Sequence, residues 1–222
     1  EIFPQQGRDG GARERLGGVS RCQSSRDGVR LFNTTTMQTL SQLNWAAEYP
    51  LKPEVHVSIS RTATHLILHY HVNEPAVRAQ EGVDNGSVWE DSCCECFIKA
   101  PESDVYYNIE CNCVGTLLIG CGAGRNDRRR YAPEQLTAVH RTATLGRTAF
   151  GLREEPTSWE LTLEVPFELL PELHDDGQRT DYLGNIYKCG DLLPQPHFVT
   201  LFPIDTPSPD YHRPEFFQHL PF

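Results

Sequence analysis

What the chain lacks narrows its role before any motif does. None of its 222 residues fall in a run near the ~18 consecutive apolar residues of a membrane-spanning helix. The longest apolar stretches, such as Leu117-Leu118-Ile119, have the length of strands. Basic charge is scarce: 20 Lys and Arg against 30 Asp and Glu leave a formal charge of −10. Nucleic-acid binders carry the opposite excess, because phosphate neutralisation supplies much of their affinity. Neither a nucleic-acid nor a membrane partner is therefore expected. The densest basic run, Arg128-Arg129-Arg130 beside Arg125, reads as a solvated loop. A Gly-x-Ser-x-Gly elbow is missing, so a nucleophilic triad finds no support. The Gly122-Ala123-Gly124 triplet lacks the rest of a dinucleotide fingerprint.

Cysteine, by contrast, is plentiful. Six of the eight cysteines (Cys93, Cys94, Cys96, Cys111, Cys113 and Cys121) crowd into one stretch. The only C-x-x-C spacing there is Cys93 to Cys96, and no second pair follows downstream as a zinc knuckle would need. Cysteine as a small buried apolar residue on strands accounts for most of them. Cys94 and Cys111 could pair or remain thiols.

Residues 1–28, with Gly10-Gly11, Gly17-Gly18 and no apolar period, read as an N-terminal arm or loop. The texture changes at Val29, and residues 29–222 read as one domain without internal repeats. Strand-like runs recur at Val55–Ile59, Leu66–Val72, Val88–Ile98, Val105–Val114, Thr116–Cys121, Leu136–Ala143, Trp159–Val165, Asn185–Cys189 and His197–Phe202. Only Phe167–Leu173 looks helical, and Pro171 keeps it short. Short strands punctuated by Gly, Pro, Asn and Asp predict an all-β protein, a β-sandwich or barrel of antiparallel sheets with little helix. Five prolines in Pro203–Phe222 predict an extended tail.

Two runs carry the functional argument. Side chains on a strand alternate between faces. Tyr107, Ile109, Cys111 and Cys113 then share one face of the second run, with Asn108, Glu110 and Asn112 on the other. Cys94, Cys96 and Ile98 oppose Asp91, Cys93, Glu95 and Phe97 in the first. A turn centred between Glu102 and Ser103 sets Cys94 against Cys111 and Glu95 against Glu110. A one-residue slip would split the two carboxylates between the faces. Asp91, Glu95, Asn108, Glu110 and Asn112 thus gather on one side. Opposed carboxylates repel unless a cation, shared protonation or a ligand compensates. Carboxylates and amides suit the vicinal hydroxyls of a sugar, and the neighbouring Trp89 offers an indole face for a pyranose ring. Trp159, opening an alternating strand, reads as core, and Trp45 is left open.

The runs Val88-Trp89-Glu90-Asp91-Ser92-Cys93-Cys94-Glu95-Cys96-Phe97-Ile98 and Tyr106-Tyr107-Asn108-Ile109-Glu110-Cys111-Asn112-Cys113-Val114-Gly115 resemble the family 9-like carbohydrate-binding domains common in Bacteroidetes. So do Tyr187-Lys188-Cys189-Gly190-Asp191, Pro196-His197-Phe198 and Pro209-Asp210-Tyr211-His212-Arg213-Pro214-Glu215-Phe216-Phe217. The resemblance implies a single jelly-roll-like β-sandwich and non-catalytic glycan binding in support of polysaccharide use. It also implies association with a glycoside hydrolase, an extracytoplasmic location and no cofactor, calcium being structural in family 9 modules proper and so an option here. Carried over by motif, the ligand-binding set is Trp89, Asp91 and Asn112, with Glu95, Glu110, Lys188 and Arg213 added.

Two alternatives stand beside this one. A glycoside hydrolase could use Glu95 and Glu110, since a retaining pair stands ~5–5.5 Å apart. Such a pair needs two different environments and a sugar between them, however. Haem or metal binding could draw on His65, His69, His71 and Met37, although an alternating half-buried strand explains these histidines more simply.

Overall fold

The structure, a computed structural model, describes residues 36–222. The expected arm at 1–28 lies outside the described residues. The strands are, in chain order, β1 (Gln38–Thr39), β2 (Glu54–Arg61), β3 (His65–Glu74), β4 (Val77–Ala79), β5 (Cys93–Lys99), β6 (Tyr106–Asn112) and β7 (Leu117–Gly122). They continue with β8 (Arg129–Arg130), β9 (His140–Ala143), β10 (Phe150–Arg153), β11 (Thr157–Pro166), β12 (Leu183–Cys189), β13 (Phe198–Thr200) and β14 (Gln218–His219). One sheet has the order β1-β2-β3-β11-β9, and the other β13-β12-β5-β6-β7-β8, with β14 also paired to β12. A small β10–β4 ribbon stands apart. The pairings are antiparallel, and the two sheets form a β-sandwich.

Sequence texture explains the layers. Along β3 every second residue is buried, from Leu66 to Val72, and these pack into the core between the sheets. The core takes Val55, Val57 and Ile59 from β2, Leu161, Leu163 and Val165 from β11, and Cys94, Cys96, Ile109 and Cys111 from the facing sheet. Four cysteines there (Cys94, Cys96, Cys111 and Cys113) are free thiols that fill volume as small apolar groups. Trp159 is core, as expected, and its indole N–H donates to Glu74 Oε1 at 2.7 Å.

The second sheet is covered on its other face as well. There Cys93, Phe97, Tyr106, Leu118, Tyr187 and Cys189 pack against Trp45, Ile204 and Tyr211. Trp45, which the sequence left open, is buried here and donates to the Thr206 carbonyl at 2.8 Å. The Pro-rich tail is extended apart from a 3-10 turn at Pro214–Phe216, and it lies across this face. The face on which the sequence gathers polar groups carries a second packed layer, because the tail brings Tyr211 onto Tyr187 as a parallel stack 4.1 Å apart.

Three elements differ from expectation. Val88–Glu90 is a 3-10 turn, and its strand starts only at Cys93, since Asp91 turns inward to bind backbone. Leu136 ends a four-residue helix begun by Pro133, so that strand is shortened to His140–Ala143. Phe167–Leu173 is two 3-10 turns broken at Leu170, because Pro171 has no N–H to continue the first.

Candidate functional site

The β5–β6 hairpin has the register its pattern predicts: Cys94 opposes Cys111 and Glu95 opposes Glu110. Both carboxyl groups point to the outer face of the second sheet and are almost wholly buried. A cavity of about 180 Å³ lies over them. Its floor is acidic, with Glu95, Glu110 and Asp191 beside the Cys189 thiol. Trp89 forms one wall, while Phe198 and Tyr211 supply aromatic surface elsewhere. Arg125 and Arg128 from the β7–β8 loop and Pro209, Asp210 and His212 from the tail complete it.

The two glutamates of the floor have different partners. Glu110 Oε1 accepts from Asn108 Nδ2 at 2.7 Å and from Arg128 Nη1 at 3.2 Å. Glu95 Oε1 accepts from the Cys189 thiol at 3.0 Å. Burial pushes both acids up, Glu95 well above the carboxylate range with Glu110 adding to it, whereas Arg128 tempers the shift at Glu110. Asp191 is pushed up to about 6, by burial first and then by Glu90 and Glu110. The floor is therefore a set of acids able to donate as well as accept, which matches sugar hydroxyls in either role.

The polar rim is held by the tail. Arg128 Nη1 also donates to His212 Nε2 at 3.1 Å, so the imidazole proton sits on Nδ1 and is donated to the Tyr106 hydroxyl at 2.7 Å. Burial, then Arg128 and Arg125, push His212 down to about 3, which keeps it neutral in that tautomer. Asp210 accepts from Arg125 at 2.7 Å and from the His212 backbone N–H at 3.0 Å. Burial opposes its ionisation, but these contacts outweigh it and hold Asp210 below its ordinary value.

Of the seven residues singled out in the sequence, the cavity gathers Trp89, Glu95 and Glu110. Asp91 is sealed away from it and accepts from Arg78 Nη1 (2.6 Å), the Gln80 and Glu81 N–H groups (3.0 and 2.9 Å) and Asn112 Nδ2 (3.0 Å). Asn112 is also saturated: Nδ2 donates to the Glu81 carbonyl, and Oδ1 accepts from Val114 and Thr116 N–H. Both fasten loop backbone to the hairpin and have no valence left for a ligand. Lys188 opposes Cys94, so it faces the sandwich interior, where Nζ meets Glu74 Oε2 at 2.9 Å and His197 Nε2 at 2.8 Å. Arg213 turns outward to an exposed pair with Glu215. The basic group beside Glu110 is Arg128, read from sequence as solvated loop yet nearly buried.

The histidines on β3 make ordinary strand contacts: His69 Nδ1 bonds Thr162 Oγ1 at 2.9 Å, and His71 stacks against His56. Among the described residues, three His, Cys, Asp or Glu donors come together at Cys93, Glu95 and Cys189, a set with two sulfurs where calcium takes oxygen ligands.

Comparison with known proteins agrees with the motif resemblance. A family model described as "Carbohydrate-binding family 9" matches residues 26–222. A crystal structure of a "putative carbohydrate-binding protein" from Bacteroides uniformis is 42% identical, with a TM-score of 0.77, covering 82% of this chain and 84% of that one. A family 9 carbohydrate-binding module from Caldicellulosiruptor kristjanssonii, solved with cellotriose, has a TM-score of 0.51 at 8% identity, over 82% and 80% of the two chains, and shares the fold. Among proteins with curated descriptions none matches.

Proposed function

The chain belongs to carbohydrate-binding family 9, and we propose that it binds a glycan without cleaving it, in the cavity between Trp89 and the tail. The observation that carries this reading is the meeting, in one cavity, of a half-buried indole, four acids and two guanidinium groups. A pyranose ring stacks on Trp89. Its hydroxyls then bond Asp191, whose carboxyl has no side-chain hydrogen-bond partner among the described residues, and the free N–H groups of Arg125 and Arg128. The cavity is smaller than the ~300–1,000 Å³ usual for drug-sized ligands, which favours one terminal sugar unit of an oligosaccharide over the middle of a chain.

Hydrolysis is the weaker reading. Glu95 and Glu110 are directly opposed cross-strand neighbours aimed the same way, so no sugar fits between them as a retaining pair requires. A glycoside hydrolase acting on the same polysaccharide is the partner this function calls for, and a shared extracytoplasmic location belongs to the same proposal.

A glycan array followed by calorimetry tests it. Trp89→Ala is expected to weaken binding about tenfold or more, equivalent to ~1.4 kcal/mol, with no sugar released by the unaltered protein. Binding untouched by Trp89→Ala, or glycan turnover abolished by Glu95→Gln, overturns it.

A further inference from the structure

The cavity floor holds a second donor set, Glu95 and Cys189, which continues below it to Cys93. Cys93 and Glu95 are two residues apart on β5 and point to the same face, and Cys189 on β12 stands directly opposite Cys93. The two Sγ atoms and a Glu95 carboxylate oxygen lie within 4.8 Å of one another, and all three residues are buried. Cys94, Cys96, Cys111 and Cys113 differ from them in facing the apolar core. Cys93 and Cys189 instead flank an acid, and the Cys189 thiol already donates to it.

We propose that Cys93, Cys189 and Glu95 bind a thiophilic divalent cation of the zinc class, with one coordination position turned towards the cavity. Two thiolates and one carboxylate are a soft-leaning set, which selects zinc or cadmium over calcium or magnesium. At Zn–S distances of ~2.3 Å a tetrahedral ion holds its sulfurs roughly 3.7 Å apart, so small side-chain rotations close this trio around a metal. Three protein ligands leave a fourth vertex. Glu95 and Cys189 line the cavity and Cys93 does not, so the vertex opens on the cavity side. Binding releases the two thiol protons and the carboxyl proton to solvent, with no change of oxidation state. The ligands carry one negative charge more than the ion neutralises, and the Arg128 guanidinium lines the same cavity as Glu95 and Cys189.

The experiment uses the complete chain, reduced and stripped with chelator, and titrates it with cadmium ion. A thiolate-to-cadmium charge-transfer band is expected to rise in the ultraviolet and saturate at a single equivalent. The band is expected to be lost in Cys93→Ser and in Cys189→Ser and kept in Cys22→Ser and Cys121→Ser. Cadmium NMR on the unmutated protein needs no variant to fold, and its shift is expected to report two sulfur ligands. Absence of a band at equimolar cadmium, a band that survives both serine substitutions, a shift typical of oxygen-only or of more than two sulfur ligands, or a Cys93–Cys189 disulfide in protein purified without reductant each overturns the site. Glycan binding is measured on the chelator-stripped protein, so failure of either proposal leaves the other standing.

Discussion

Burial of a charged side chain is tolerable only when its counter-ion is buried with it, and Glu110 and Arg128 meet that condition. Their side chains are 4% and 11% exposed, 3.2 Å apart. Removing Arg128 strands the acid, and breaking a buried pair costs ~3–5 kcal/mol when the remaining charge cannot adapt. Glu110 can adapt by taking up a proton, since burial already pushes it up. Arg128→Met is therefore expected to lose about 1–3 kcal/mol of stability in urea denaturation, with part of it regained in the double variant carrying Glu110→Gln. Arg213→Ala, which deletes an exposed pair with Glu215, is expected to change stability by less than about 0.5 kcal/mol. Equal losses in the two variants contradict the assignment of Arg128 as the buried partner.

At the scale of elements, the hairpin was legible and the tail was not. Alternation and turn chemistry sufficed to pair Glu95 with Glu110, because a slip would have exposed cysteines and buried an acid in the core. The same parity argument applied to β12 rejects Lys188: Tyr187 opposes Glu95, so Tyr187 and Cys189 face the cavity side and Lys188 faces inward. Motif resemblance singled out Lys188 within Tyr187–Asp191, whereas the cavity lining takes Cys189 and Asp191 from that segment. Asp210, Tyr211 and His212 carried no sequence signal for their position, because an extended Pro-rich tail has no periodicity to say which face it covers. The arginines at 125 and 128 were hidden for a related reason, since loop residues acquire burial only from whatever packs over them. Lys188 has a structural role instead. Burial works against its charge, but Glu74 outweighs this and holds the ammonium above its ordinary range. Lys188→Met leaves Glu74 buried without its cation and is expected to cost ~3–5 kcal/mol, whereas adding Glu74→Gln recovers a large part. Double-mutant analysis by denaturation measures the coupling, and purely additive losses would rule it out.

At the scale of the molecule, the two sheets must stay in register for the outer layer, and with it the cavity, to persist. An apolar core is non-directional, so directional links at the sheet edges matter. One of them is Asp84, in the loop after β4. Its carboxylate accepts both terminal nitrogens of Arg141 at 2.8 Å and the Leu117 N–H at 2.9 Å, which ties β9 of one sheet to β7 of the other. Arg141 further donates to the Gly115 and Leu136 carbonyls. Burial alone would raise the Asp84 pKa, but the Arg141 bonds and the Leu117 N–H prevail and hold it below the ordinary Asp value. The sign of the linkage follows. A carboxyl with a depressed folded pKa contributes stability that is complete above its unfolded pKa of ~3.9 and is lost as pH falls through the folded value. Asp84→Asn is accordingly expected to lower stability by about 1–3 kcal/mol at neutral pH, since a bidentate charge-assisted contact is removed from a mostly buried site. The deficit should shrink in acid, because the unaltered protein then loses the same contact by protonation. Urea denaturation of both forms across the acid range measures this directly. A deficit that stays constant with pH would mean that shape, and not charge, holds the two sheets together at this edge.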